Sequence, residues 1–285
     1  MGPELSRAAS PLTTALAGRR AFITGGGSGL GLAFARVLAR DGWQLGLLER
    51  EPTRLASARQ ELLALGAKSV ECFALDVTDE AGFGAAVADF ARRAGGLDFM
   101  VNNAGVAHAG EIATTPASDW RWAIEINLIA VATGCRAALP FLLEAPAARI
   151  LNIASAAAFA ASPQMAVYNA TKAGVVAITE TLAQELDGTQ VRAVVAMPGF
   201  IPTRLLEGAR ASPALLGAAR KLMQASRYSA DQAAADILAA CASGRTYVVV
   251  PTGYRWLWRL KRLAPIKFAW LLRREYRRSR SGSAS

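Results

Sequence analysis

The order of apolar and helix-like segments is the feature that most constrains the fold of this 285-residue chain. Such alternation is typical of βαβ units, whose parallel strands share one sheet with helices on both faces. The sequence therefore predicts an α/β fold, doubly wound in three layers around a mostly seven-stranded parallel sheet. Strand-like runs occur at 21 to 23, 45 to 48, 70 to 74, 98 to 101, 149 to 153, 192 to 197 and 247 to 250.

The chain divides into three predicted parts. Residues 1 to 18, rich in Ala, Ser and Thr, are expected to form a flexible leader, and residues 19 to 252 a single domain. Residues 253 to 285 form a basic amphipathic extension. With 53% hydrophobic residues, the chain can build a large core.

A glycine-rich run at 24 to 31 lies between the first strand and a helix-like segment that begins at Leu30. At a strand-to-helix turn, small residues let the backbone approach a pyrophosphate, and the helix N-terminus supplies free N–H groups and positive potential. No Lys-Ser or Lys-Thr follows the last glycine, which excludes a P-loop. The run therefore predicts a Rossmann-type dinucleotide site.

Tyr168 and Lys172 lie four residues apart on a predicted helix, downstream of Ser155. Helical spacing places the phenol and the ammonium on one face. A phenol that acts as a base near neutrality needs a pKa roughly 3 below its usual value near 10. A cation about 4 Å away at an effective dielectric constant near 20 supplies about that much. We expect Tyr168 to be the acid/base, Ser155 to polarise a carbonyl and Lys172 to lower the pKa of the phenol.

These motifs, in this order, resemble the short-chain dehydrogenases/reductases over roughly residues 19 to 252. TGGGSGLG at 24 to 31 is similar to the cofactor turn of that family, and NNAG at 102 to 105 is similar to the segment after its fourth strand. The resemblance implies a catalytic tetrad of Asn127, Ser155, Tyr168 and Lys172, in which Asn127 holds a water near the lysine. It also implies a homodimer or homotetramer formed through the helices that carry Asn127 and Tyr168.

The glycine turn and the resemblance together imply cofactor contacts in that turn, at the ends of the second to fourth strands, in the tetrad and in the segment after Pro198. They are Gly25, Gly27, Ser28, Gly29, Leu30, Gly31, Glu49, Arg50, Asp76, Val77, Asn103, Ala104, Gly105, Tyr168, Lys172, Pro198, Gly199, Ile201 and Thr203. Glu49 ends the second strand, where a carboxylate bonds the ribose hydroxyls and repels a 2'-phosphate. NAD(H) is therefore favoured over NADP(H), although the adjacent Arg50 offers a partner for that phosphate.

Metal chemistry is not expected. His108 is the only histidine, and Cys72, Cys135 and Cys241 lack metal-ligand spacing. Three unpaired cysteines favour a reducing compartment, and hence the cytoplasm.

The extension is strongly basic. Residues 251 to 285 hold ten Lys or Arg and one acid, Glu275, whereas the rest of the chain is nearly neutral. Pro265 is expected to divide it into two amphipathic helices. Two interpretations stay open: a helix on an anionic membrane surface, or an apolar face packed over the pocket or a neighbouring subunit. Nucleic acid is not an expected partner, because the body has no basic face.

The expected reaction interconverts a secondary alcohol and a ketone with NAD(P). Residues 204 to 228, rich in leucine, are expected to form a lid that favours a hydrophobic, bulky substrate. Two alternatives remain: reduction of a lipid or acyl-type carbonyl at a membrane, and a non-catalytic dinucleotide sensor.

Overall fold

A computed structural model of the chain describes residues 10–281. Its centre is one seven-stranded sheet in the order β3-β2-β1-β4-β5-β6-β7, with every neighbouring pair parallel. The doubly wound α/β prediction is confirmed. The strands are β1 (Arg20–Thr24), β2 (Gln44–Glu49), β3 (Ser69–Ala74), β4 (Phe99–Asn102), β5 (Ala148–Ile153), β6 (Val191–Pro198) and β7 (Tyr247–Val250).

Helices cover both faces of the sheet. One face carries α1 (Pro11–Ala15), α2 (Gly29–Arg40), α3 (Pro52–Ala64) and α10 (Ala230–Ala242). The other carries α4 (Glu80–Ala94), α6 (Ala130–Glu144) and α8 (Ala166–Glu185). The remaining helices are α5 (Ala117–Ile124), α7 (Ala157–Ala160), α9 (Pro213–Ala225), α11 (Thr252–Leu263) and α12 (Pro265–Ser281).

The topology fixes where a ligand can bind. The chain runs outward from β1 through β2 to β3, then returns to β4 on the other side of β1. The order of strands reverses between β1 and β4, and a crevice opens at their carboxyl ends. Thr24 and Asn102 end these two strands, so the segments that follow them lie on either side of the crevice.

The flexible leader prediction is wrong for residues 10–18. Leu12 and Leu16 are fully buried in the core beside α10. The Thr13 hydroxyl donates to Asp41 Oδ2 at 2.7 Å and accepts from the indole N–H of Trp43 at 2.7 Å. The Ala-, Ser- and Thr-rich composition suggested flexibility, but these two leucines fill a site against the sheet. Residues 1–9 of the predicted leader lie outside the described residues.

The longest apolar helical stretch, Ala117–Glu144, comprises α5, a π-helical turn at Glu125–Ile129, and α6. By length and composition it could cross a membrane, but half of its most apolar window is buried inside the fold. It packs against α4, α8 and the sheet. We therefore interpret it as a core element.

Candidate active site

The Thr24 hydroxyl joins the glycine turn to the NNAG segment. Thr24 Oγ1 accepts from the backbone N–H groups of Asn103 at 2.9 Å and Ala104 at 3.0 Å. Gly25 has a φ of +62°, which an L side chain rarely adopts. At Gly31, a Cβ would lie only 2.2 Å from the Gly25 carbonyl oxygen. The turn therefore depends on glycine at both positions.

The residues at this turn suit a dinucleotide pyrophosphate. Ser28 is the N-cap of α2, yet its side chain makes no capping hydrogen bond. The first N–H groups of the helix therefore lack a side-chain cap and point toward the crevice end of the sheet, where an anion gains from them and from the helix dipole. Gly27 and Gly29 keep this approach clear of side chains.

Glu49 ends β2 against the turn. Its carboxylate is almost fully buried, and Oε1 accepts from the backbone N–H groups of Arg50 at 2.9 Å and Glu51 at 3.4 Å. A Cβ on Gly27 would lie 2.9 Å from Glu49 Cγ, so the acid is in contact with the turn. Arg50 is largely exposed and pairs with Glu51 at 3.5 Å. Negative charge therefore occupies the floor of this end of the crevice.

Asp76 and Val77 border the same end. Asp76 Oδ1 accepts from the backbone N–H of Thr78 at 2.9 Å and from its hydroxyl at 2.8 Å. This bonding stabilises the turn after β3 and leaves the backbone of the pair beside the crevice.

Tyr168 and Lys172 come together with Ser155 at the far end. Both side chains are buried on α8, and Lys172 Nζ lies 5.8 Å from the centre of the Tyr168 ring. Lys172 Nζ also donates to the Ile153 carbonyl at 2.9 Å, which ties α8 to the end of β5. Ser155 Oγ accepts from the Ala157 N–H at 3.1 Å, and Ser155 lies close enough to the phenol to lower its pKa.

The expected depression of the phenol pKa is wrong for the protein alone. Burial raises the pKa of Tyr168 to about 12, and the hydrogen bond from Ser155 opposes this only in part. Burial also lowers the pKa of Lys172 to about 8. Burial removes water from both groups. This desolvation outweighs the attraction between ammonium and phenolate that helical spacing suggests. The Tyr168 phenol is consequently neutral near pH 7.

Asn127 lies behind the lysine, fully buried in the π-helical turn. Its side chain accepts from the Val106 N–H at 2.8 Å and donates to the Val106 carbonyl at 3.0 Å. It also donates to Thr171 Oγ1 at 3.2 Å. A Cβ on Gly105 would lie 3.0 Å from Asn127 Oδ1 and 3.4 Å from Lys172 Nζ, so the three residues are adjacent. The π turn, a frequent mark of functional sites, points this amide at the NNAG loop.

One cavity of about 420 Å³ joins the two ends of the crevice. Gly27, Gly31 and Asn127 do not line it; they support the lining residues from behind. The predicted residues that line it are Gly25, Ser28, Gly29, Leu30, Glu49, Arg50, Asp76, Val77, Asn103, Ala104, Gly105, Ser155, Tyr168, Lys172, Pro198, Gly199, Ile201 and Thr203.

Sequence reasoning missed several lining residues, among them Tyr254 and Arg54. The ring of Tyr254, in the first turn of α11, lies against Gly199, where a Cβ would meet it at 2.5 Å. Arg54 on α3 pairs with Glu207 at 3.1 Å, and this ion pair links α3 to the segment at 204 to 228. For Tyr254, the only signal in the sequence was the Gly-Phe pair after Pro198, because glycine allows an aromatic ring to approach the backbone.

Within residues 10–281, no group of three or more His, Cys, Asp or Glu side chains lies together in a way that could hold a metal ion. His108 is buried beside Asp119, with 3.3 Å between Nε2 and Oδ2, and does not line the cavity.

Comparison with known proteins places this geometry in a family. Residues 19–214 match the model of the short chain dehydrogenase family. The chain is a short-chain dehydrogenase/reductase. The recognition made from the motifs is confirmed, and the match covers the glycine turn, the tetrad and the segment after Pro198.

This short-chain dehydrogenase has relatives with named activities. It is 35% identical to the 2-(R)-hydroxypropyl-CoM dehydrogenase of Xanthobacter autotrophicus over 66% of this chain and 77% of that protein. It is also 35% identical to the D-beta-hydroxybutyrate dehydrogenase of Rhizobium meliloti, over 66% and 74% of the two chains. A Burkholderia phymatum short-chain dehydrogenase/reductase, crystallised with NAD, superposes with a TM-score of 0.79 at 32% identity, over 86% and 92% of the chains. As a member of this family, the chain is an oxidoreductase.

Proposed function

We propose that this enzyme interconverts a secondary alcohol and a ketone with NAD(P), on a hydrophobic or bulky substrate. One observation carries the proposal: the uncapped helix end at the glycine turn and the Ser155, Tyr168 and Lys172 side chains open onto the same cavity. The bound dinucleotide supplies or accepts the hydride. The chain itself orients the substrate and handles the proton.

In the direction of reduction, Tyr168 Oη donates its proton to the carbonyl oxygen of the ketone. Ser155 Oγ donates a hydrogen bond to the same oxygen and stabilises the charge that develops on it. The proton is replaced through Lys172, whose pKa of about 8 lets it give up a proton near neutrality. Asn127 holds this end of the relay by fixing the NNAG loop and Thr171. In oxidation the same proton path runs in reverse.

NAD is the proposed cofactor. The buried carboxylate of Glu49 can accept hydrogen bonds from both ribose hydroxyls and repels a 2'-phosphate. The same preference is supported by the NAD that the Burkholderia phymatum structure contains.

The substrate half of the cavity favours an apolar molecule. Its walls include Ala157, Ala160, Met165 and Phe200, with Leu205, Leu206 and Met223 contributed by the segment at 204 to 228. We propose that this segment is a lid, since it forms one wall of the cavity and the Arg54 to Glu207 ion pair joins it to α3.

Nicotinamide absorbance tests the reaction. We expect wild-type protein to oxidise NADH with hydrophobic ketones, and Tyr168→Phe to lose about 10²- to 10⁴-fold in kcat, the usual contribution of a positioned acid. Tyr228→Phe is the matched control, because Tyr228 bonds Asp236 outside the cavity. Turnover that survives in Tyr168→Phe would refute the assigned role. Cofactor binding without turnover on any carbonyl would support the sensor.

A homodimer or homotetramer and a cytoplasmic location complete the proposal. Ile129 and Leu143, each 43% exposed, lie on the helical stretch Ala117–Glu144 that carries Asn127 and offer apolar contact for a second copy. All three cysteines are free thiols, which suits a reducing compartment. Light scattering of wild type and Ile129→Arg tests the assembly; a monomeric wild type would contradict it.

A further inference from the structure

Helices α11 and α12 have two faces with different surroundings. On α11, Tyr254 and Trp258 face the body, where the Trp258 ring lies 5.4 Å from that of Tyr247. Trp256 and Leu263 lie on the opposite side and are 68% and 86% exposed. An amphipathic helix of a globular protein normally turns its apolar stripe to the core. Here a second apolar stripe faces solvent.

The stripe continues onto α12. Phe268 is buried, so this helix too has an inner side. Together the exposed residues define what we call the outer face: Trp256, Leu257, Leu263, Ile266, Trp270 and Leu271. Of the twelve exposed large apolar side chains in the described part of the chain, six belong to this face and fall between residues 256 and 271, unlike the scattered apolar residues of an ordinary surface.

Positive charge surrounds the outer face. Lys267, Arg273, Arg274 and Arg277 are exposed on α12 beside Ile266 and Trp270. Arg259 lies over the Trp256 ring at 5.1 Å, and Arg274 over the Trp270 ring at 5.5 Å. Tryptophan with flanking Lys and Arg is the composition of helices that lie in the plane of a membrane interface. A folded partner protein would need a matching acidic and apolar surface; an anionic bilayer supplies both at once.

We propose that the outer face docks on the surface of an anionic lipid bilayer, with α11 and α12 lying in its plane. The apolar side chains enter the boundary between headgroups and acyl chains, while the basic residues pair with lipid phosphates. Tyr254 and Trp258 stay packed on the body, so docking needs no unfolding of the catalytic domain. Docking of this kind is independent of the reaction that the enzyme catalyses.

Vesicle co-sedimentation of the full chain tests the docking. We expect wild type to sediment with vesicles of phosphatidylcholine containing about one quarter phosphatidylglycerol, and far less with phosphatidylcholine alone. Binding should weaken as salt rises from about 0.1 M to about 1 M, because surface charges are screened. Failure of wild type to bind the anionic vesicles would overturn the proposal.

Two pairs of variants assign the binding to the outer face. Trp256→Ser with Leu263→Ser should abolish most of the binding, whereas Ile112→Ser with Leu222→Ser, which removes side chains 71% and 52% exposed elsewhere, should not. Arg273→Glu with Arg277→Glu should lower the partition coefficient by about tenfold or more. Lys68→Glu with Arg245→Glu changes net charge equally on exposed sites of the body and should have a much smaller effect.

Equal binding by the outer-face variants and their controls would refute the proposal. The proposal would also be refuted if no protein bound vesicles and light scattering showed that only the outer-face variants lost a larger assembly. A second copy of the chain would then be the partner of the outer face. NADH fluorescence measures cofactor binding and so verifies that each variant is folded. This measurement is independent of turnover.

Discussion

At the scale of single residues, burial decides the state of the candidate catalytic groups. The same desolvation raises the pKa of the Tyr168 phenol and lowers that of the Lys172 ammonium, because each loses water that stabilised its charged form. The protein alone thus holds a protonated phenol next to a weakly basic amine. That pair is ready to donate a proton to a carbonyl, and oxidation of an alcohol requires a higher pH than reduction.

Stability should reveal the titration of Lys172. Its pKa falls from 10.5 in the unfolded chain to about 8 in the fold, so between these values the unfolded state binds more protons and stability rises with pH. Relative to Lys172→Met, we expect wild type to gain about 2 kcal/mol in free energy of unfolding from pH about 7 to about 10. Denaturant unfolding of both proteins measures this. A constant difference would show that the lysine is not desolvated.

Glu49 should decide between the two dinucleotides. Glu49→Gln removes the charge, and we expect NADH binding to weaken about tenfold or more, as for a lost hydrogen bond to a charged group, while NADPH binding improves. Glu51→Gln is the control, since Glu51 is a neighbouring acid outside the cavity. Fluorescence titration gives both Kd values. Parallel changes for the two cofactors would contradict this role.

At the scale of elements, the strand-to-helix turn illustrates what the sequence could predict. The glycine spacing identified the turn because backbone packing there leaves no room for a side chain. The candidate tetrad could be proposed because its residue types and order resemble those of the family. By contrast, the approach of Tyr254 to Gly199 depends on where α11 lands after the last strand. The pKa of Tyr168 depends on burial, which local spacing does not encode. The composition of residues 10 to 18 also led to the wrong prediction of a flexible leader, because two leucines suffice to anchor a short helix.

Gly31→Ala should damage both fold and site, because its Cβ would lie 2.2 Å from the Gly25 carbonyl oxygen. We expect a loss of about 1–3 kcal/mol in stability, the usual cost of overpacking, with weaker NADH binding. Gly84→Ala on α4 meets no atom within 4 Å and should raise stability by up to about 1 kcal/mol, because alanine favours helix. Thermal unfolding of the two variants compares them. Equal behaviour would mean that the turn can relax.

At the scale of the whole molecule, two helices, α1 before the first strand and α11 after the last, pack against the catalytic body. α1 fills a site beside α10, and α11 begins directly after β7 and covers Gly199. The first contact contributes to the core, whereas the second lies at the cavity. Changes at the two ends should therefore affect different properties: global stability in one case and ligand binding in the other.

Leu16→Ala tests the first end. Leu16 has no exposed surface, so the substitution should cost about 2–5 kcal/mol in free energy of unfolding. Leu263→Ala, at a side chain 86% exposed, should stay within about 0.5 kcal/mol of wild type. Denaturant titration measures both. A small effect at Leu16 would show that α1 is detachable.

The Tyr254 ring lies against Gly199 at the cavity, while Trp256 on the same helix belongs to the outer face. If an interaction at one of these two places shifts the helix, thermodynamic reciprocity requires occupancy of the other to feel the same free-energy change. Saturating the enzyme with dinucleotide would then change its affinity for a lipid surface by the same factor that the lipid changes its affinity for dinucleotide.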